Sequence, residues 1–217
     1  MIFFWAKAAR KARLVLALFL VASIPVQANS QGGSDSAHVD FFPVNVLDTG
    51  IADTFTNFLT ALDETSLFAV KDSQATSYRL IWFRPGLMPV AVRIAVQKNG
   101  LGDLEAKVVS QHAKVINKKK LILDKNTGLA IDRTALIPAD KVGILLELVQ
   151  QSDFWSLGPE EPDSALLDGP MCVLEGIRDG KYHVVYRYSP KASNFTHVAK
   201  YLAKDLAQLD DSIISIP

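Results

Sequence analysis

The sequence is poor in cysteine: Cys172 is the only one among 217 residues. An internal disulfide is therefore excluded, and the fold must be stabilised by the burial of apolar side chains. The chain is long enough for this, since a domain of about 190 residues buries roughly 70% of the surface it exposes when unfolded. Cys172 lies in an apolar strand pattern, which favours a small buried side chain over a nucleophile.

Motifs for metals, cofactors and nucleophilic catalysis are also lacking. The histidines have no spacing typical of a zinc site; they are His38, His112, His183 and His197. The segment Asp163–Asp168 lacks the alternating oxygen ligands and the central glycine of a calcium loop. There is no glycine-rich phosphate loop, no Gly-x-Ser-x-Gly elbow and no Ser-x-x-Lys motif. We predict no metal site, no cofactor and no catalytic residue that a motif would identify.

The N-terminus has the pattern of a secretory signal peptide. A basic region without acidic residues comes first, and its charges are Lys7, Arg10, Lys11 and Arg13. The apolar run Leu14–Val26 follows, and Val26-Gln27-Ala28 provides a cleavage site. The alternative is an uncleaved membrane anchor. It is disfavoured because about 13 apolar residues are too few to cross a bilayer and Pro25 interrupts the helix.

The rest of the chain has no internal repeat and no long linker. We predict a signal peptide over residues 1–28, a flexible leader over 29–40 that is rich in Ser, Gly and Gln, and one folded domain over 41–217. The sequence therefore predicts an exported protein.

An excess of positive charge is absent. The chain has 23 basic and 23 acidic residues, and cleavage of a signal with four basic residues leaves 19 against 23, a net charge of −4. Nucleic acid requires a concentrated basic surface, so it is not an expected partner. No membrane association is expected after signal cleavage. The one basic run, Lys118–Lys120, is interpreted as a solvated hairpin tip.

Helical periodicity occurs in three places. The first helix is predicted from Ile51 onwards, where apolar residues recur on one face at spacings of three and four. The second is predicted from Pro138 to Gln151, with proline at its first position. The third is predicted after Asn194 as its cap, although Asn194-Phe195-Thr196 also matches a glycosylation sequon. All three helices present an apolar stripe toward a core.

Between the helices the period is two, as in strands with one apolar face. Val90–Gln97 and Leu104–Val108 alternate around Asn99-Gly100, and Val115–Ile131 is predicted to be a further hairpin. The last hairpin joins Met171–Ile177 to Lys181–Ser189 through Asp179-Gly180. Strands that arrive as hairpins favour an α+β fold, with an antiparallel sheet of about six strands packed with about three helices.

Polar residues in the strands are the candidates for a binding site. Arg84 and Arg93 can hold a carboxylate or a phosphate, and His183 and Arg187 lie on one face of the last hairpin. A two-residue turn pairs Gly176 with His183, which turns Glu175 to the opposite face. Glu175 and His183 therefore cannot form a simple acid–base dyad. The alternative to a catalytic group is that Glu175 pairs with an arginine of a neighbouring strand and that His183 and Arg187 line a half-wet sheet face. The alternative to a binding site is that the tyrosines of the last strand form a structural ladder covered by helices.

Two stretches carry a resemblance. The first is Tyr78-Arg79-Leu80-Ile81-Trp82-Phe83-Arg84 with the following Pro89–Arg93, and the second is Leu174-Glu175-Gly176 with Gly180–Pro190. Together they resemble a family of uncharacterised bacterial secreted or periplasmic proteins, over roughly Tyr78–Leu206. The resemblance implies export and no particular activity. Members of that family tend to carry Trp where this chain has Cys172, so no shared aromatic role is implied there.

Three functional hypotheses remain. The preferred one is a non-catalytic binding or interaction domain of the cell envelope, whose partner is an envelope protein or a small anionic ligand. Its rival is a periplasmic hydrolase-type enzyme that uses His183 with a nearby carboxylate and Arg187. The third is an assembly or stability factor encoded beside a secretion system. Convergence of Arg93, His183 and Arg187 in one open pocket would favour the enzyme.

Overall fold

The computed structural model describes residues 40–73, 75–85, 87–109, 129–161 and 169–217. They all belong to one unit, His38–Pro217. In chain order the helices and strands are α1 (Thr49–Ala61), β1 (Thr76–Phe83), β2 (Val90–Val96), β3 (Gly102–Val109), β4 (Leu129–Ile137), α2 (Ala139–Gln151), β5 (Met171–Arg178), β6 (Lys181–Tyr188) and α3 (Asn194–Lys200). Helix α3 continues into a π-helical segment, Tyr201–Leu206, and 3₁₀ turns occur at Lys71–Ser73 and Phe154–Ser156.

One antiparallel sheet organises these elements, with the strand order β4-β3-β2-β1-β5-β6. Strands β1 to β4 follow one another as neighbours, and the C-terminal hairpin β5–β6 adds to the free side of β1. The fold is therefore α+β, with a six-stranded antiparallel sheet and three helices, as the sequence predicts. Within the described ranges, none of the helices is long and apolar enough to cross a bilayer.

The two faces of the sheet are covered by different helices. Helices α2 and α3 and the C-terminal segment pack on the larger apolar face, which contains Leu80, Trp82 and Leu174. Helix α1 and the segment before it pack on the opposite face, against Ile81, Val173 and other apolar residues of β1, β5 and β6. We call these the α2/α3 face and the α1 face. Because side chains alternate along a strand, each strand contributes to both.

Local sequence explains how the helices begin. The Asp48 side chain caps α1 by accepting a hydrogen bond from the Gly50 amide at 2.8 Å. The third helix is capped by Ser193, which forms a capping box with Thr196, so the prediction of Asn194 as its cap is wrong. Ser193 takes this position because its hydroxyl accepts from the Thr196 amide while its own amide donates to the Thr196 hydroxyl. Asn194 instead donates to the Gln151 carbonyl.

Two further boundaries differ from the sequence prediction. Pro138 has an extended backbone and precedes α2, which begins at Ala139. Strand β4 continues to Ile137, whereas the predicted hairpin ended at Ile131. The apolar pattern stops at Ile131 because the next residues, Asp132, Arg133 and Thr134, are polar on both faces of the strand. Both faces can be polar there because β4 lies at the exposed edge of the sheet. The predicted turn at 126–128 and the basic run 118–120 lie outside the described residues.

Candidate functional site

A row of charged side chains crosses four strands on the α1 face. Residues that are directly opposite in an antiparallel sheet share a face. Arg79 on β1 is opposite Glu175 on β5 and opposite Arg93 on β2, which in turn is opposite Glu105 on β3. The register therefore places two arginines and two glutamates side by side.

The centre of this row is a fully buried ion pair. Arg79 and Glu175 have no solvent exposure. The Arg79 Nε donates a hydrogen bond to Glu175 Oε2 at 2.7 Å, and Nη2 lies 2.6 Å from the same oxygen at an angle unsuited to a hydrogen bond. The Tyr182 hydroxyl donates to Glu175 Oε1 at 2.8 Å. Glu175 thus pairs with an arginine of the neighbouring strand, which confirms the structural alternative considered from the sequence.

A third carboxylate enters the row from outside the sheet. Glu64 lies in the segment between α1 and β1, and its side chain is 1% exposed. Its Oε2 lies 3.3 Å from Arg79 Nη1 and 3.2 Å from Arg93 Nε, and its Oε1 lies 3.2 Å from Lys107 Nζ. We call Arg79, Arg93 and Lys107 the cation triad. The triad surrounds one carboxylate with cations from three adjacent strands.

The backbone beside Glu64 is bound by the same cations. Lys107 Nζ donates to the Asp63 carbonyl at 3.0 Å, and Arg79 Nη1 donates to the Thr65 carbonyl at 2.7 Å. Arg93 also donates to Glu105 and Lys107 lies 3.7 Å from it. Three cations thus face three carboxylates, so the cluster is electrically balanced, which is the condition for tolerating charge at this depth.

Burial changes the titration of the acidic groups in this cluster. Burial raises the pKa of Glu175, and Arg79 opposes that rise. Burial also raises the pKa of Tyr182 well above its ordinary value, and the neighbouring Glu175 charge adds to the effect. Tyr182 therefore remains a protonated hydrogen-bond donor near neutral pH. It serves here as a fixed partner of the carboxylate rather than as a proton acceptor.

The α2/α3 face holds the other two predicted site residues. A ring nitrogen of His183 lies 3.1 Å from the Leu157 carbonyl, and the ring packs beside Phe154 and Trp155 with centroids 5.0 and 6.0 Å away. Arg187 Nη1 donates to two backbone carbonyls, Nε lies 3.0 Å from Glu161, and the guanidinium packs over Phe195. Both side chains are engaged by their own chain.

The structure does not bring the four predicted site residues together. Arg84 is exposed after the end of β1, and Arg93 lies on the α1 face within the cation triad. His183 and Arg187 point to the α2/α3 face, and the His183 ring is hydrogen-bonded to the Leu157 carbonyl rather than to a carboxylate. The geometry expected for a hydrolase is therefore not formed by these residues. Within the described ranges, no group of acidic, histidine or cysteine side chains is arranged to hold a metal ion.

Sequence reasoning missed three members of the charged cluster. Arg79 and Lys107 occupy positions that alternate with apolar residues, which is also the pattern of a solvated strand face. Glu64 follows α1, and the apolar pattern shows only that the helix ends before it. The density of charges that alternate with apolar residues on the strands could have identified Arg79 and Lys107, because alternation assigns them to the same type of face as Arg93, Glu105 and Glu175. Glu64 lies on no strand, and no such signal identifies it.

An open shelf lies beside the cluster at the β4 edge of the sheet. It contains a cavity of about 370 Å³ lined by Asp103, Leu104, Glu105, Thr134, Ala135 and Leu136. Asp103 is opposite Leu136 and Glu105 is opposite Thr134, so these four side chains share the α1 face. Leu136 is 61% exposed and gives this surface an apolar side chain. We call this surface the β3–β4 shelf.

Comparisons with known proteins add no family assignment, since the chain matches no family model and no curated protein sequence.

The single cysteine yields a prediction about reactivity. Cys172 has no solvent exposure, and burial raises the pKa of its thiol. Because the thiolate is the reactive form, we expect a thiol-specific reagent to label the folded protein only through opening of the core. The labelling rate should fall by at least about a hundredfold between the urea-unfolded and the native protein. Rapid stoichiometric labelling under native conditions would show that Cys172 is accessible.

His183 yields a prediction about pH. Burial lowers its pKa, with a smaller opposing contribution from hydrogen bonds to backbone carbonyls. The unfolded chain then binds a proton at higher pH than the folded protein does, so stability falls as the pH decreases from 6.5 towards the lower folded pKa. Urea unfolding from about pH 7.5 to about pH 5 should give a smaller loss of stability for His183→Gln than for the unsubstituted protein.

The control for this measurement is His197→Gln, which removes an exposed histidine of α3. It should retain the loss of stability at acidic pH. An identical pH dependence in His183→Gln and the unsubstituted protein would contradict the assignment to His183.

Proposed function

We propose that this protein is an exported, non-catalytic binding domain of the bacterial cell envelope, periplasmic or secreted. The signal-like residues 1–28 and the resemblance of the strand segments to uncharacterised exported bacterial proteins support export. One observation carries the binding function. His183, Glu175 and Tyr182, which could transfer protons, are held in contacts within the chain, whereas the β3–β4 shelf is open.

The chemistry of the shelf favours a protein partner with an extended basic segment. Among the described residues, the exposed carboxylate of Asp103 accepts hydrogen bonds only from the side-chain amide of Gln97. Because that amide is neutral, the charge of Asp103 is available to a cation. Leu136 provides apolar contact beside it. Among the described strands, none pairs with the outer edge of β4. An extended segment can form backbone hydrogen bonds along such an edge while its side chains occupy the shelf.

Export can be tested by expressing the whole chain in a bacterium and fractionating the cells. The expected product is a periplasmic or extracellular protein whose N-terminus is Asn29, as defined by mass spectrometry. A full-length chain that remains in the cytoplasm would contradict the proposed localisation.

Binding can be tested with two labelled peptides of about ten residues, the length of a long strand. One alternates Val and Lys, and the other alternates Val and Glu. Fluorescence anisotropy should show binding of the basic peptide, and the double variant Asp103→Asn with Leu136→Ser should weaken it by at least about tenfold, or about 1.4 kcal/mol. Val44→Ser is the control, since Val44 is 81% exposed and lies outside the shelf. Equal affinity for both peptides, or an unchanged affinity in the double variant, would reject this partner.

A further inference from the structure

We propose that the cation triad is a binding site for a small monocarboxylate, and that Glu64 is an internal occupant which a free carboxylate replaces. The proposal is independent of the β3–β4 shelf and its partner. It starts from the convergence of Arg79, Arg93 and Lys107 on the two oxygens of one side chain, at 3.2 to 3.3 Å. Two arginines donate to this carboxylate and a lysine pairs with it, and such charge-assisted contacts are the strong ones by which proteins recognise carboxylate ligands.

The cations and their carboxylate come from different parts of the fold. Arg79, Arg93 and Lys107 belong to β1, β2 and β3, which are held in register by the sheet. Glu64 belongs to the segment after α1, and the residue before it, Asp63, has a left-handed backbone with φ of 51°. Such a conformation is uncommon for a residue with a side chain. The strands that carry the triad are therefore held by one another and not by the Glu64 segment.

The charge of the site defines the ligand. Glu175 and Glu105 lie on the sheet and balance two of the three cations. When Glu64 is removed from the cluster, one positive charge remains without compensation. A single negative charge restores the balance, whereas a doubly charged phosphate overcompensates it. The expected ligand is thus a monocarboxylate with two oxygens in one plane.

Access is possible from the side of β2 and β3. The side chains of Arg93 and Lys107 are 19% and 13% exposed, whereas that of Arg79 is fully buried. The Asp63 and Thr65 backbones that flank Glu64 are attached to the sheet by the same Lys107 and Arg79. A ligand that enters from this side meets the Glu64 contacts on Arg93 and Lys107 before it reaches Arg79.

The experiment uses sodium acetate as the probe and sodium chloride at equal ionic strength as the reference, on the folded protein labelled with ¹⁵N-arginine. Acetate should shift arginine Nε resonances saturably in the unsubstituted protein. In Glu64→Ala the half-saturating concentration should be at least about tenfold lower, because the ligand no longer competes with an internal carboxylate. The melting temperature of the variant should rise with acetate and less with phosphate.

The matched control is Glu161→Ala, which removes a carboxylate from Arg187 outside the triad. It should leave the acetate response of the triad unchanged. If Glu64→Ala does not fold, Glu64→Gln preserves the size of the side chain, and the same tenfold comparison applies. Equal responses to acetate and chloride in the variants would overturn the carboxylate site. If acetate binds to the variants but not to the unsubstituted protein, Glu64 is a permanent structural partner of the triad. That result would overturn the proposal that a free carboxylate replaces Glu64.

Discussion

Replacement of Arg79 by methionine is expected to lower the free energy of unfolding by about 3–5 kcal/mol, which is the cost of removing one partner of a buried ion pair. Arg79 and Glu175 are both fully buried, and Arg79 also donates to the Thr65 carbonyl. Methionine fills the space but leaves the Glu175 carboxylate in an apolar environment, where Tyr182 is its remaining hydrogen-bond donor among the described residues. The loss is large relative to the stability of a typical domain.

The measurement is urea unfolding at neutral pH, with Arg84→Met as the matched control. Arg84 is exposed after the end of β1, so its replacement should change stability by less than about 0.5 kcal/mol. A double variant, Arg79→Met with Glu175→Leu, removes both charges of the pair and should lose less than Arg79→Met alone. Glu64 retains Arg93 and Lys107 as partners in that variant. A loss below about 1 kcal/mol in Arg79→Met would contradict the view that this pair is desolvated.

Local sequence predicted the last hairpin in detail because its turn and its register are both local. Asp179 and Gly180 adopt positive φ values of 51° and 73°, which a two-residue turn requires. The turn pairs Gly176 with His183, as predicted, and Glu175 with Val184. Since side chains alternate, the separation of Glu175 from His183 followed from the turn alone. This part of the site analysis needed no tertiary information.

The charged cluster could not be predicted in the same way because its contacts are not local. Arg79 and Glu175 are 96 residues apart, and they meet only because β5 adds to the free side of β1. The alternating pattern shows that both side chains face one side of a strand, but it does not show which strand lies beside it. The position of Glu64 depends on where the segment after α1 returns to the sheet. The contact of Arg93 with Glu64 is non-local for the same reason.

The continuation of α3 as a π-helix also has no signal in the apolar pattern. The stripe Val198, Leu202, Leu206 and Leu209 predicts an ordinary helix, and these residues are indeed buried. The π-helical turns occur at Tyr201–Leu206, where the chain enters the C-terminal segment that completes the α2/α3 face. Burial of the stripe therefore followed from periodicity, whereas the hydrogen-bond pattern depends on packing against the sheet.

Phe154 lies at a close contact on the α2/α3 face, and its replacement by alanine is expected to cost about 3–5 kcal/mol. The side chain is fully buried and packs edge to face with Tyr78, Trp155 and His183. Its ring also covers Gly176 of β5: a Cβ atom at Gly176 would lie 2.8 Å from the Phe154 ring and 3.1 Å from Tyr78. The glycine thus makes room for the aromatic side chain.

This contact allows a double-mutant test of the same packing. Gly176→Ala alone should destabilise the protein by about 1–3 kcal/mol, because the added methyl group overlaps a rigid ring. In the Phe154→Ala background the ring is gone, so Gly176→Ala should cost much less, and the two substitutions should be non-additive by more than about 0.5 kcal/mol. Gly143→Ala is the matched control: a Cβ there meets no atom within 4 Å, and alanine favours the helix. Additive effects of Phe154→Ala and Gly176→Ala would show that the cost of a side chain at position 176 has a cause other than overlap with the Phe154 ring.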